Sequence, residues 1–518
     1  MTAHTQTLKR AFMRNIFPST LLRSLLVAAA LAGCTQDLNI TNPNASDTTN
    51  FWQTQTDALN GINATYNALQ QRGTYARWLG FLFDIRSDEG FAGCGWAELC
   101  AFNAFKQTDY NFEPSRETWQ MHYWAIFRAN QVADNVPKIN MDPALRDRIV
   151  GEAKFLRALL YFNLVNLYGN IPLVITTPTP GYLPPQATPT EVYAQIEKDL
   201  TEAAAVLPLP GVYGPNDLGR ATKGAALALL GKAQLQQKKW ATAAATLAQV
   251  IAMPQYDLMA NYADNFTDSF ENNKESVFEV QFGDEDQLST GNSGQNYAKM
   301  IGACKSSPGI TVPPGTTEPS YCDGRPTRWF FNQFFADTTV RTVYDPRLDV
   351  TVFWNRPGGM DVYGTPFTTR YGATSNEVWW KKWGEYYLIE DQNWDNPINF
   401  RVIRFADVLL MEAEALNEAG QPGAVALVQR VRTRAKAGTV PAGLNQAAMR
   451  DYIMHERLVE LGLEQARWLD LQRHSMLTPT LQSNDSDFKN FVANKSEYLP
   501  IPQYEIDLNP NLKQNPGW

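Results

Sequence analysis

The chain has 518 residues, of which 44% are hydrophobic, enough for a large globular core. Its 53 acidic residues outnumber 45 basic ones, and the formal net charge of −8 argues against a nucleic-acid partner. Aromatic residues make up 12% of the chain, and some fall in stretches rich in glycine, proline and asparagine. Aromatic side chains in such loops call for an explanation other than the core.

Residues 1–33 have the pattern of a secretory signal that ends in a lipoprotein box. An apolar stretch, 25–31, follows four basic residues, and small residues then lead directly to Cys34. The stretch is too short to span a bilayer, and we expect the thiol of Cys34 to carry an acyl anchor such as palmitate. Residues 34–50 are polar and predict a tether. Met1 and Met13 are both possible starts.

Removal of the signal makes the chain more acidic and leaves four cysteines besides Cys34. The four basic residues of 1–33 are lost, so 41 basic residues face 53 acidic ones, a formal charge of −12. The remaining cysteines form two local pairs, for which we predict the disulfides Cys94–Cys100 and Cys304–Cys322. Four free thiols and a four-thiolate zinc site are the alternatives, but the spacings fit no usual zinc pattern.

Helical periodicity dominates the chain from Phe51 onward. Apolar residues recur at spacings of three and four after Phe51, and the same spacing predicts helices near 118–136, 145–168, 191–207, 222–237 and 240–252. Residues 73–116 read as irregular. The last two helices have the pattern of a tetratricopeptide repeat, with Gly231 and Ala243 where two helices must approach closely. A looser copy occurs at 405–418 and 424–437.

The predicted fold is therefore mainly α, a repeat scaffold interrupted by one insertion. Residues 51–280 and 401–518 form the scaffold, and 281–400 predict a loop-rich insertion that carries short strands. Val277–Phe282 alternates like a strand. Helix returns at 447–474, where Arg457, Glu460, Glu464 and Arg467 share one face. We interpret this charge ladder as salt bridges within the helix, rather than as a surface for a partner.

Several blocks of the sequence resemble the SusD/RagB family of outer-membrane lipoproteins, and they occur in the family's order. The similar blocks are NPNASDTTNFWQTQTDALNGINATYNAL at 42–69, GEAKFLRALLYFNLVNLYGNIPLV at 151–174, RFADVLLMEAEALNEAG at 404–420 with VRTRAKAG at 431–438, HERLVELGLEQARWLDLQRH at 455–474, and YLPIPQYEIDLNPNLKQNPGW at 498–518.

The resemblance implies a function that residue spacing could not give. Such proteins sit as lids on a SusC-type TonB-dependent transporter of the outer membrane, facing outward. They capture a nutrient, usually an oligosaccharide and sometimes a peptide, without covalent chemistry. The resemblance therefore implies a lipid-anchored binding protein with no enzymatic activity, no cofactor and no metal.

The resemblance also places the ligand in two loops, 87–103 and 297–329. Sugars present flat apolar faces and rings of hydroxyls, so a site needs aromatic platforms beside planar polar groups. We predict Trp96 and Trp329 as platforms, Tyr297 as a further wall, and Asp88 and Asn103 as partners of hydroxyls. Trp96 lies among glycines inside the predicted Cys94–Cys100 loop, which makes it a poor core residue.

No catalytic motif is evident in the chain. His455–Glu456 begins like a zinc-protease motif, but the second histidine one turn on is missing. No phosphate loop, dinucleotide fingerprint or nucleophile elbow is present. Two rivals remain: a repeat-scaffold adaptor of envelope assembly, and a lipid-anchored glycosidase, which the spacing of carboxylates cannot exclude.

Overall fold

A row of antiparallel helices forms the body of the protein. The computed structural model describes residues 51–283, 294–306, 310–315, 319–337, 343–387 and 395–518. The predicted signal, tether and lipidation site Cys34 lie outside the described residues. In the first part of the row the helices are α1 Gln55–Asn67, α2 Trp78–Phe83, α3 Ala97–Asn103, α4 Glu113–Asn135, α5 Pro143–Tyr168, α6 Pro189–Val206, α7 Lys223–Gln236 and α8 Trp240–Ile251.

The chain continues through a region of short elements and then returns to helices. The later helices are α9 Tyr297–Ile301, α10 Arg328–Ala336, α11 Leu348–Thr351, α12 Phe367–Tyr371, α13 Phe405–Glu418, α14 Ala424–Arg434, α15 Gln446–Leu461, α16 Arg467–Arg473, α17 Leu477–Asn484 and α18 Gln503–Leu508. Among the described helices, none is both long and apolar enough to cross a membrane.

Local signals in the sequence fix where the long helices begin. Thr188 and Glu191 form a capping box at the start of α6, and the side chain of Asp142 accepts hydrogen bonds from the first turn of α5. Helix α4 begins earlier than predicted, because Pro114 fits its first turn. The region 73–116 is less irregular than predicted: every residue of α2 is buried, which hides the helical period.

The repeat scaffold is confirmed, and its two parts form one continuous row. Helices α4 to α8 pack in chain order, and α13 then packs against α8 although about 150 residues separate them in the chain. A Cβ on Gly231 would lie 2.5 Å from the Leu247 side chain, so glycine allows α7 and α8 to approach. The second copy, α13 and α14, extends the row.

A two-stranded ribbon closes the insertion at its base. Strand β4, Ser276–Val280, precedes the insertion and pairs antiparallel with β10, Phe400–Arg404, which follows it. The insertion therefore leaves and rejoins the scaffold at one place. The other ribbons pair β1 Gly90–Ala92 with β5 Gly324–Pro326, β2 Ile171–Pro172 with β3 Gln186–Ala187, β6 Val352–Phe353 with β9 Trp379–Trp380, and β7 Asp361–Val362 with β8 Thr365–Pro366.

The predicted helix at 447–474 is broken, which is a correction with a physical reason. The segment between α15 and α16 places Leu463 and Gln465 at positive φ, 64° and 61°. The carbonyl of Gly462 accepts a hydrogen bond from Lys382 Nζ (2.8 Å), and that of Leu463 accepts one from the indole of Trp383 (2.8 Å). The break exchanges helical hydrogen bonds for contacts with the insertion.

The charge ladder does not form salt bridges within its helix, contrary to our interpretation. Arg457 pairs with Asp407 and Asp470, and Arg467 pairs with Asp88. Glu460 and Glu464 both bind Arg404, at 3.0 and 2.7 Å. All four side chains are buried, where a charge without water needs an ion-pair partner. Each of them finds that partner in another part of the chain.

These contacts extend into a buried ion network that joins insertion and scaffold. Arg347 of the insertion binds Glu456 (2.7 Å) and Glu460 (2.8 Å) of α15. Arg404 of β10 adds Glu275 at 2.6 Å, and Arg434 of α14 binds Glu275 and Glu460. The Arg347 and Arg404 guanidiniums therefore connect the insertion, strand β10 and helix α15 through charged hydrogen bonds.

Candidate ligand-binding face

The two stretches predicted to carry the ligand meet in the β1–β5 ribbon. Gly90 lies opposite Pro326 and Ala92 lies opposite Gly324. Beyond the ribbon, the amide of Gly93 donates to the carbonyl of Asp323 (2.7 Å). A Cβ on Gly93 would lie 2.3 Å from the Cys322 carbonyl oxygen, so only glycine permits this approach.

Both predicted disulfides are present, and they flank this contact. Cys94 is bonded to Cys100, and Cys304 is bonded to Cys322. Because Gly93 and Cys322 touch, the two closed loops lie side by side. Trp96 lies inside the Cys94–Cys100 loop and Tyr321 inside the Cys304–Cys322 loop, while Asp323 and Arg325 follow just after Cys322; we call these four residues the disulfide face.

Trp96 precedes α3 as its N-cap residue, and one side of its indole is packed. The ring centroid lies 5.7 Å from that of Trp78 and 5.6 Å from that of Phe112. The residue is half-buried, whereas its neighbours Gly95 and Ala97 are exposed. Trp96 is thus held in place by aromatic contacts while part of its ring reaches the surface.

Three further side chains of this face were missed from sequence. Tyr321 is 59% exposed, and Asp323 is half-buried, which raises the pKa of its carboxyl to about 6. The Arg325 guanidinium lies 3.7 Å from the centroid of the Trp379 ring. Alternation could have found Asp323 and Arg325, because residues two apart on an extended segment share a face. It could not have found Tyr321, since Cys322 has a φ of +52° and interrupts the extended backbone.

Tyr297 is not the wall of a ligand site, because it lies in the core. Its side chain is 2% exposed, and its hydroxyl donates to Asp84 Oδ2 (3.0 Å). A Cβ on Gly80 would lie 2.4 Å from the tyrosine ring, and Phe81 contacts the ring edge-on. The structure corrects its predicted role to that of a core residue.

Asp88 and Asn103 are also buried, and their polar atoms are used within the protein. Asp88 accepts hydrogen bonds from Arg467 Nε (2.7 Å) and Nη2 (2.8 Å). Asn103 accepts from the amide of Ala92 (3.2 Å) and donates to the carbonyl of Ile85 (2.7 Å). Both side chains hold the β1 region in place, which replaces the predicted contact with ligand hydroxyls.

Trp329 lies at the opposite end of the ribbon from Trp96, since each residue follows the end of its own strand. Its half-buried ring stands 5.5 Å from the Arg467 guanidinium that binds Asp88. The ring lines an open hollow of about 420 Å³, together with His455, Arg467 and Asn484. We call it the Trp329 hollow. Asp88 does not line this hollow, although it binds Arg467, which does.

A pair of buried carboxyl groups lies beneath the ribbon. Asp84 accepts from Tyr297 and from the amide of Gln465 (2.7 Å), while Glu89 accepts from the amide of Leu463 (3.3 Å). Burial raises the pKa of Asp84 to about 7 and that of Glu89 well above its usual range, and repulsion by Asp84 raises the pKa of Glu89 further. The pair therefore holds a proton at pH values where exposed carboxyls have lost theirs.

The raised pKa values of Asp84 and Glu89 predict that the free energy of unfolding depends on pH. A carboxyl with a raised folded-state pKa binds more protons folded than unfolded, so stability falls as pH rises from about 4 to about 7, by up to about 1.4 kcal/mol per pH unit and proton. Asp84→Asn and Glu89→Gln should each flatten that slope in urea unfolding. Exposed Asp361→Asn is the control; equal slopes in all four proteins would refute the role of the pair.

Comparison with known proteins gives the family. Residues 274–518 match the sequence model described as the SusD family, and residues 46–235 match a related model described as starch-binding, associating with the outer membrane. The chain belongs to the SusD/RagB family.

Relatives of this SusD/RagB protein match it along most of its length. It is 28% identical to the SusD-like protein P2 of Formosa agariphila, over 95% of this chain and 98% of that protein. A SusD superfamily protein from Bacteroides vulgatus shares the fold, with a TM-score of 0.80, 24% identity and coverage of 90% and 100% of the two chains.

The name of a further solved relative states its ligand. A laminarin-binding SusD-like protein superposes with a TM-score of 0.73 and 29% identity, over 90% of this chain and all of that one.

Proposed function

We propose that this protein captures oligosaccharides outside the cell and passes them to a SusC-like TonB-dependent transporter of the outer membrane. The family assignment and the laminarin-binding relative support a glycan ligand. The family model described as associating with the outer membrane supports the location, and the lipoprotein box at Cys34 supports a lipid anchor that faces outward. The protein binds and releases its ligand without changing it chemically.

The disulfide face is the observation that carries the ligand proposal. A sugar ring stacks its apolar face on an aromatic ring and directs its hydroxyls outward. Trp96 supplies the ring, fixed from behind by Trp78 and Phe112. Asp323 and Arg325 supply an acceptor and donors from the adjoining segment, which the Gly93–Asp323 backbone hydrogen bond joins to the Trp96 loop. The two disulfides limit movement of the loops and so reduce the entropic cost of binding.

Delivery follows from the anchor and the position of the ligand. A lipid-tethered binding body stays next to a transporter in the same membrane, which raises its effective concentration there. Closure of the body over the transporter encloses the captured ligand, so that it leaves toward the transporter rather than into the medium.

The test is calorimetric binding of residues 35–518 to a panel of neutral oligosaccharides and short peptides, with chromatography of each saccharide after incubation. We expect saturable binding of at least one saccharide class and no shorter product. Binding of peptides alone would assign the other ligand class of the family. Release of shorter sugars would favour the glycosidase reading.

Trp329 is proposed as a second platform for longer ligands, because it lies beyond the far end of the ribbon from Trp96. Trp329→Ala should weaken binding of a hexasaccharide several-fold and leave a disaccharide bound at the disulfide face unaffected. Competition calorimetry with both ligands measures this. Equal loss for the two lengths would place Trp329 in the primary site, and no loss for either would remove it from binding.

A further inference from the structure

Two adjoining hollows lie on the helical scaffold, apart from the disulfide face and the Trp329 hollow. One, of about 230 Å³, lies between the end of α1, the loop 216–220 and β4. The other, of about 210 Å³, lies on the other side of that loop. Leu218, Gly219 and Arg220 line both hollows, so the loop forms a low divider. We call the two hollows together the amide groove.

The lining of the groove is rich in side-chain amides. Asn63, Asn67, Gln70 and Asn216 line the first hollow, and Asn272 lines the second. A planar amide offers a donor and an acceptor in one plane, which suits the vicinal hydroxyls of a sugar.

An apolar side chain and paired charges also line the groove. Leu218 on the divider is 58% exposed and gives an apolar surface between the hollows. Arg220 is neutralised by Asp217 (2.7 Å) and Glu152 (2.9 Å). This combination favours a neutral, polyhydroxylated ligand over an anion.

The polar groups of the groove are held in fixed orientations before any ligand binds. Arg220 Nη2 donates to Asn63 Oδ1 (2.6 Å), and Asn67 Nδ2 donates to Gln70 Oε1 (2.9 Å). On the floor, the amides of Asn272 and Gln281 bind each other reciprocally. Groups fixed in this way lose little freedom on binding.

The divider depends on a glycine. Gly219 has a φ of +85°, and a Cβ there would lie 2.4 Å from Cδ of Gln281. The backbone therefore rests on the floor amide, and a ligand that reaches both hollows must cross Leu218 and Gly219.

The size of the groove argues for an extended ligand. Either hollow alone is smaller than the range of roughly 300–1,000 Å³ that ligand pockets occupy, whereas the two together fall inside it. We infer that the amide groove is a second binding site for neutral oligosaccharide, with sugar units on both sides of the Leu218 divider. This inference rests on the proposed function, since it assumes that the protein binds glycans.

Hydrogen exchange of residues 35–518 with laminarihexaose and maltohexaose tests the site. We expect the bound hexasaccharide to protect 63–70 and 216–220 as well as 91–100, and calorimetry to give two sites per chain. The variant Asn67→Ala with Asn216→Ala should lose protection of the groove, keep that of 91–100 and retain one site. Gln249→Ala, an exposed amide on α8 outside the groove, should behave as wild type.

Each other outcome has a separate meaning. Protection confined to 91–100, with one site in both wild type and double variant, overturns the second site and leaves the proposed function standing. Protection of the groove by tetraalanine but by neither hexasaccharide overturns the assigned ligand class. If no oligosaccharide of the wider panel protects either segment or binds, the proposed function fails and the inference fails with it.

Discussion

Replacing Arg404 by methionine is expected to lower the free energy of unfolding by about 3–5 kcal/mol. Arg404 is buried and binds Glu275 (2.6 Å), Glu460 (3.0 Å) and Glu464 (2.7 Å). Methionine fills much of the same volume, but it leaves these carboxylates in the interior with fewer cations. Removal of one member of a buried ion pair costs more than the pair itself contributes, because the charge that remains has no water.

The matched control is an arginine at the protein surface whose side chain is 32% exposed. Arg146 pairs with Asp147 at 3.4 Å on the surface of α5, and Arg146→Ala should cost no more than about 1 kcal/mol. Urea unfolding of both variants and the wild type, followed by circular dichroism and by tryptophan fluorescence, gives the comparison. Equal costs for Arg404→Met and Arg146→Ala would contradict the view that this network holds the insertion on the scaffold.

Acid should weaken the same network. The neighbouring arginines lower the pKa of Glu460 to about 2, although burial alone would raise it. A carboxyl whose folded-state pKa lies below its unfolded value stabilises the fold above about pH 4.5, and this contribution is lost as pH falls toward 2. The buried acid pair at Asp84 and Glu89 acts with the opposite sign between pH 4 and 7.

The long helices could be predicted because their signal is local. A period of 3.6 residues is visible within a single helix. The capping residues Asp142 and Thr188 stand directly before the first residues of α5 and α6. The same holds for the two disulfides, since each joins cysteines close in the chain. The close approach of α7 to α8 could also be predicted, because such packing requires a small residue and Gly231 stands at that position.

The predictions for the charge ladder and for the buried site candidates were wrong for the same reason. Glu460 and Arg467 have charged neighbours one turn away, and nothing local reveals that partners from β10 or from the first loop displace water around them. Likewise, Asp88 and Tyr297 lie in loop-like sequence, but Arg467 of α16 binds Asp88 and helix α2 packs on the Tyr297 ring. Whether a loop residue is exposed depends on which distant segment lies over it.

Trp96→Ala is expected to weaken saccharide binding about 30-fold, which corresponds to about 2 kcal/mol, the scale at which a tryptophan anchor contributes. The indole is held by Trp78 and Phe112, so the wild-type ring needs no ordering when ligand arrives. Alanine removes the stacking surface and leaves Asp323 and Arg325 as polar contacts alone. Trp96→Phe should retain part of the affinity, because a smaller ring still stacks.

The control for this loss is Trp124→Ala. Trp124 is an exposed tryptophan on α4 that stacks on Arg128 and lies outside the disulfide face. Its removal should leave affinity unchanged, so calorimetry of the two variants separates a specific platform from a general loss of surface aromatics. Wild-type affinity in Trp96→Ala, with loss in Trp329→Ala, would move the primary site to the Trp329 hollow, where Arg467 and Asn484 would replace Asp323 and Arg325 as polar partners.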